Sequence, residues 1–169
     1  GTSNGLTVDD SFTVTVNAVD DSPTVSSAIS NQAVNEDASN ITIDLGSVFT
    51  DVDNDDSAIT KAVQSNSNSS LVSASISGNT LTLDYESNQN GSATITVRGT
   101  SNGLTVDDSF TVTVTAVNDE PSFTNGLDIS VNEDSGASTT ATWATSISAG
   151  PSNESSQSLT FNVSNDNAS

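Results

Sequence analysis

The side chains best suited to chemistry in this sequence are its carboxylates, and they are clustered. Twenty-two Asp and Glu stand against two bases, Lys61 and Arg98, for a net charge of −20. The acids gather at Asp20-Asp21, Glu36-Asp37, Asp51-Val-Asp53-Asn-Asp55-Asp56, Asp84-Tyr-Glu86 and Asn118-Asp119-Glu120. Like charges a few ångströms apart repel by roughly 1–4 kcal/mol per pair at effective dielectrics of 80 to 20. Without counterions such clusters would weaken a fold. Calcium takes six to eight oxygens from carboxylates, amides and carbonyls, which is the chemistry on offer. Composition alone is equally compatible with a solvated acidic face in a salt-rich habitat. The run Asp51-Val-Asp53-Asn-Asp55 begins like an EF-hand loop, but Asp56 stands where the Gly is needed and Ala62 where the bidentate Glu is needed. The acids must therefore converge from separate loops.

Composition also excludes. The chain has no His, Cys or Met, so zinc, iron–sulfur and haem sites lack their ligands. Most acid–base and nucleophilic catalysis loses its usual groups with them, and no nucleophile–base pair or cofactor motif is visible. An enzyme is the class the sequence supports least. A nucleic-acid partner is not expected, because phosphate backbones are bound by neutralising Lys and Arg. No apolar run is long enough to span a bilayer and no signal peptide is seen, so membrane insertion is not expected either. The chain opens on Gly1 without a Met and reads as a stretch of something longer. With no cysteine, redox chemistry leaves the compartment open.

The elements that must position the acids are strands. Phe12-Thr-Val14-Thr-Val16, Ile41-Thr-Ile43-Asp-Leu45, Leu81-Thr-Leu83 and Ile95-Thr-Val97 alternate apolar and polar residues. A period of two means one face on a core and the other in water. No stretch repeats apolar residues at helical spacing, so the fold class is all-β.

The sequence also repeats. Residues 1–16, GTSNGLTVDDSFTVTV, recur unchanged at 99–114, a period of 98. The match continues loosely from Ala18–Pro23 to Ala116–Pro121, and resumes from Val34-Asn-Glu36-Asp to Val131-Asn-Glu133-Asp. A unit of about a hundred residues is a whole domain. Three parts follow: the last strand region of one repeat (1–19), a complete repeat (20–119) and the first half of another (120–169). Turn signals divide the complete repeat into seven strands near 24–34, 40–45, 58–64, 71–77, 80–85, 93–98 and 104–116. Ser77-Gly-Asn79, Asn90-Gly91 and Asn102-Gly103 suit tight hairpins, since Gly and Asn accept positive φ. Seven short strands at this spacing fit an immunoglobulin-like β-sandwich.

Four of the acidic motifs, taken in order, resemble cadherin-type repeats. They are Val-Asn-Glu36-Asp, Phe49-Thr-Asp51-Val-Asp53, Leu83-Asp84-Tyr-Glu86 and the linker Ala-Val-Asn118-Asp119-Glu-Pro121. The closer likeness is to the bacterial cadherin-like tandem repeats of giant surface adhesins, and it covers the full unit and both linkers. The resemblance implies calcium where one domain meets the next. It implies that Glu36, Asp84 and Glu86 face the lower junction with Asn118 and Asp119. Asp51 and Asp53 would face the upper junction with Asp20 and Asp21.

The sequence departs from that pattern in two places. Arg98-Gly-Thr-Ser101 carries no acid where such repeats place another ligand Asp after the sixth strand. The third unit reads Ala144-Thr-Ser-Ile-Ser-Ala-Gly150-Pro-Ser-Asn153-Glu154 where a DxD is expected, with Glu154 as the one substitute. Fewer ions per junction follow, one to three, and the upper junction has the better-stocked DxD side.

Four further features have plainer readings. Lys61 shares the inward parity of Ile59 and Val63; an isopeptide crosslink to Asn or Asp would use such a Lys, while the simpler reading is an ammonium snorkelling to an acid. Trp143 reads as a core or edge filler rather than a sugar platform. Asp107-Asp108 interrupts the alternation before Phe110, which predicts a bulge or bend in the last strand, ahead of a calcium-binding role. Asn40, Asn68, Asn90, Asn153, Asn162 and Asn167 begin Asn-x-Ser/Thr sequons, expected by chance in so Asn- and Ser-rich a chain.

Three roles remain open. The chain is a repeated extracellular module of a long fibrous cell-surface protein, its neighbouring copies locked in line by calcium. Alternatively the domain itself binds, through homophilic or polysaccharide contacts, although seven aromatics are few for sugar stacking. In the third, the strand region 1–19 of one copy completes the half-domain 120–169 of another by strand addition, building a head-to-tail filament.

Overall fold

The computed structural model describes residues 1–166; the Asn167 sequon lies outside the described residues. The chain is all-β. A hairpin comes first, β1 (Thr2–Ser3) with β2 (Leu6–Thr7). The strands of the central segment are β3 (Thr24–Val25), β4 (Gln32–Asn35), β5 (Ile41–Asp44), β6 (Phe49–Thr50), β7 (Thr60–Asn66), β8 (Val72–Ser77), β9 (Thr80–Tyr85), β10 (Gly91–Ser101) and β11 (Leu104–Thr115). The short pair β12 (Ser122–Thr124) and β13 (Thr145–Ser148) follows. Each of the seven expected segments of 20–119 contains a strand. The first is split into β3 and β4, and β6 is an addition that pairs antiparallel with β3.

One sheet has the order β4-β11-β10-β7, another β5-β9-β8. All pairings are antiparallel except β11 with β4, which run parallel. The two sheets share one core. Leu81, Leu83 and Tyr85 come from β9, Ala93, Ile95 and Val97 from β10, and Phe110, Val112 and Val114 from β11, packed with Leu45, Phe49 and Leu71. The period-two alternation puts these residues inside while Thr and Ser between them face water. Burial supplies the driving force, at roughly 1.5–3 kcal/mol for each large apolar side chain. The core lies wholly between Ile29 and Val114.

Two expectations about strands are corrected. Asp107-Asp108 causes no bulge: β10 and β11 pair without a slip from Gly91↔Val114 to Ser101↔Leu104. Asp107 points outward, where its carboxylate takes two hydrogen bonds from Arg98, at 2.7 and 2.8 Å. Asp108 holds a half-buried inward position within β11 because the Ile29 amide donates to Oδ2 at 2.7 Å. A partnered carboxylate needs no backbone detour. The register shift lies instead between Thr96 and Val97, opposite β7. Lys61 donates from Nζ to Asn79 Oδ1 at 2.9 Å and to the Ile59 carbonyl at 3.2 Å, so its ammonium is satisfied by an amide and a carbonyl rather than by an acid.

The 98-residue period reaches into the flanks. Ser122 pairs with Ser148 as Thr24 pairs with Thr50. Trp143 lies over Gly126 and donates its indole N–H to the Leu127 carbonyl at 3.1 Å. The identical segments 1–16 and 99–114 differ, however. Both close the same hairpin across Asn-Gly, with φ of 47° and 79° at Asn4-Gly5 and 47° and 87° at Asn102-Gly103. Beyond the hairpin only the second copy is a long strand. Phe12 is 88 % exposed and its counterpart Phe110 is 2 % exposed.

Candidate metal centre

Glu36 follows directly on β4. Its amide donates to the Thr115 carbonyl at 2.9 Å and so extends the parallel ladder by one residue. Gln32, Val34 and Glu36 share the inward parity, which carries the Glu36 carboxylate past the apolar core to the end of the domain. There Oε1 accepts the Val117 amide and Oε2 accepts Asn153 Nδ2 at 3.1 Å. Glu36 is buried, and it ties the linker that leaves β11 to a loop more than a hundred residues downstream.

That loop begins at Gly150-Pro151 and turns through one 3₁₀ segment, Ser152–Glu154. The turn brings Glu154 back onto the linker, where Oε1 accepts the Asp119 amide at 2.9 Å. Gln157 Nε2 donates to Asn118 Oδ1 at 2.9 Å beside it. Gly150 has φ of 145°, and a Cβ there would stand 2.7 Å from Glu154 Oε2. Only glycine leaves room for this carboxylate.

Carboxylate oxygens of Glu36, Asp119 and Glu154 lie within 4.8 Å of one another. Asp119 Oδ2 and Glu154 Oε2 are buried without a hydrogen-bond partner. Burial, and then the charges of Glu154, Asp37 and Glu36, push the Asp119 carboxyl above its usual range. No base relieves the repulsion, because Arg98 is paired with Asp107 and Lys61 is engaged at Asn79. Three oxygen donors with two free buried oxygens and no cation suit a hard divalent ion, and calcium accepts such ligands in irregular geometry.

The other expected ligands are placed differently. Asp51 is buried; its Oδ1 accepts the amides of Asp53 at 2.9 Å and Asn54 at 3.1 Å, while Oδ2 has no partner. The Ser101 hydroxyl beside it, with those amides, holds its carboxyl below the usual range. Asp53 Oδ2 accepts the Asp21 amide at 2.8 Å, and Asn54 Nδ2 donates to Asp20 Oδ1 at 2.8 Å. Asp20 and Asp21 therefore do meet the Asp51–Asn54 turn, but through hydrogen bonds. Among the described residues, Glu36, Asp119 and Glu154 form the one group of three converging carboxylates. Asp84 and Glu86 stand apart from it: Leu81, Leu83 and Tyr85 occupy the inward positions of β9, so both acids point to solvent. Asn118 takes the Gln157 amide rather than joining the cluster. The converging set thus lies at the lower junction, not at the better-stocked upper one. Glu154 completes it without any DxD; the signal in the sequence is the Gly-Pro that starts its turn.

Fold and site together define an all-β domain of two facing sheets with a carboxylate cluster where its C-terminal linker meets the next segment. No protein-family model matches the sequence, and no curated protein matches it. Among solved structures, the chain is similar to an endo-fucoidan hydrolase of glycoside hydrolase family 107 at 18% identity, covering 60% of this chain and 15% of that one, with a TM-score of 0.42. A second endo-fucoidan hydrolase of that family matches at 23% identity over 59% of this chain and 17% of that one, with a TM-score of 0.37. The titin domains Z1Z2, in complex with telethonin, match at 16% identity over 65% of this chain and 56% of that one, with a TM-score of 0.39. The aligned region spans about a sixth of the length of the hydrolases. No helix among the described residues is long and apolar enough to cross a membrane.

Proposed function

We propose that the chain is a non-catalytic structural module of a long extracellular surface protein, one of a tandem series of seven-stranded cadherin-like β-sandwich repeats held in line by calcium at their junctions. One observation carries this reading: the linker after β11 is gripped from both sides, Val117 by Glu36 and Asp119 by Glu154. A linker held by the domain before it and the segment after it transmits orientation, which a free linker of five or six residues does not. A cation between the gripping carboxylates would cancel their repulsion and add its binding free energy to the junction. The repeating 98-residue period supplies the array, and the surplus of Asp and Glu keeps it soluble with only two basic residues. The role asks for no catalytic group and no nucleic-acid or membrane partner.

Small-angle scattering of the chain in calcium and in EDTA tests the reading. Calcium is expected to lengthen the maximum dimension and narrow the distance distribution reversibly. Superimposable profiles in the two buffers would overturn the calcium-stiffened junction.

A further inference from the structure

We propose that residues 12–17 of one copy of this chain dock as a parallel strand on residues 129–132 of a second copy. The contact uses apolar positions that the calcium-stiffened junction leaves open, and none of its carboxylates. The donor segment lies outside any strand, yet it is amphipathic: Phe12, Val14 and Val16 are 88, 72 and 88 % exposed. Their counterparts in the unchanged sequence at 99–114, Phe110, Val112 and Val114, are buried in the core. Identical residues thus have a partner strand in one place and none, among the described residues, in the other.

The acceptor is the counterpart of β4. Val131-Asn-Glu133-Asp repeats Val34-Asn-Glu36-Asp, so Ile129 and Val131 stand where β4 has Gln32 and Val34. Both are more than half exposed, and no strand pairs with 129–132 among the described residues. Beside them Ile129, Val131, Trp143 and Val163 line an open hollow of about 530 Å³. β11 meets β4 in one register: Val112 opposite Gln32, Val114 opposite Val34 and Thr115 opposite Asn35. Carried through the repeat, it sets Val14 opposite Ile129, Val16 opposite Val131 and Asn17 opposite Asn132. Both inward pairs are then apolar, which the pair at Gln32 is not. A slip of one residue would turn Val14 and Val16 to water, so burial selects the register.

The chain cannot make this contact with itself. Val16 lies four residues before Asp20, which Asn54 holds at the upper end of the domain, and four extended residues reach only about 13 Å. Residues 129–132 follow the linker at the lower end, beyond the twelve residues of β11, a run of roughly 40 Å. Donor and acceptor are different surfaces, so each docked copy leaves one of each free and head-to-tail addition continues into an open filament. The net charge of −20 opposes association, and salt should strengthen it by screening.

Sedimentation velocity of the whole chain in EDTA tests the contact independently of calcium. The expected result is reversible association that grows with protein concentration and with added sodium chloride. Val14→Asp and Val131→Asp, both at exposed positions, should each weaken it by about tenfold or more, with thermal melting showing that both variants stay folded. The chain has no cysteine, so Val16→Cys and Val131→Cys chains mixed under mild oxidation read the register. Opposed residues come within disulfide reach, and this pair should cross-link about tenfold or more faster than Thr15→Cys with Val131→Cys. Monomers at every concentration, association that survives both aspartate variants, or equal cross-linking through Thr15→Cys overturns the docking. Each of those results leaves the calcium-stiffened junction standing, because its linker lies within one molecule.

Discussion

The Asp119 amide donates to Glu154 Oε1 at 2.9 Å, while Asp119 Oδ2 and Glu154 Oε2 remain buried without partners. The backbone of one residue attracts the carboxylate that the side chain of the same residue repels. Without a cation this is a strained balance, and it has a sign that can be measured.

Asp119→Asn removes the repelled charge and keeps the shape. In calcium-free buffer at neutral pH the variant is expected to melt higher than the parent. The folded-state pKa of Asp119 is raised above the ordinary 3.8, so the folded chain holds that proton more tightly. The associated stability is present below the ordinary value and is lost as pH rises through the raised one. The advantage of the variant should therefore vanish on acidification. A variant that is less stable than the parent at neutral pH without calcium would contradict this account.

Glu36→Ala leaves the Val117 amide without its acceptor and releases Asn153. Loss of this part-buried hydrogen bond costs about 0.5–1.5 kcal/mol. Urea unfolding should register the loss, and limited proteolysis should cut within 116–121 faster than in the parent. Unchanged cleavage would mean that the linker is not held by Glu36.

Phe110 and Phe12 offer an internal control, since each sits in the same sixteen-residue sequence. Phe110 is buried against both sheets and Phe12 is exposed. Phe110→Ala is expected to cost about 3–5 kcal/mol, and Phe12→Ala less than about 0.5 kcal/mol. Chemical denaturation of the two variants makes the comparison directly.

Gly99 and Gly1 form a second such pair. A Cβ at Gly99 would stand 2.8 Å from Phe49 Cγ, in the packed interior, whereas nothing lies within 4 Å at Gly1. Gly99→Ala should destabilise by about 1–3 kcal/mol through overpacking, with Gly1→Ala neutral. Equal melting temperatures for both variants would show that the aromatic ring yields freely.

Much of the fold was legible because strands with one wet face write their period into the chain. Leu81, Leu83 and Tyr85 alternate with Thr82 and Asp84, and the structure buries the first set, leaves Thr82 half-buried and exposes Asp84. That same alternation could have warned that Asp84 and Glu86 point away from the junction, had parity been weighed above motif. Asp107-Asp108 misled because a carboxylate at an inward position looks like an interruption until its donor is known. The donor, Ile29, lies 79 residues away, and no local pattern announces it.

The candidate site divides in the same way. Glu36 and the 117–119 linker stood out as acids next to a repeated boundary, whereas Glu154 showed only as the one substitute where a DxD was expected. Its role depends on a turn folding back across the linker, a contact between residues 35 apart.

The sequence by itself determined the all-β class, the strand segments of 20–119, the 98-residue period and the Asn-Gly hairpin, which closes in the same way at both ends of the repeat because its φ requirements are met within a few residues. Tertiary structure alone decided which copy of GTSNGLTVDDSFTVTV becomes a buried strand and which acids converge. A strand's ladder and its apolar face need partners from elsewhere in the chain, and a cluster of like charges is a property of positions in space that no residue carries in its own neighbourhood.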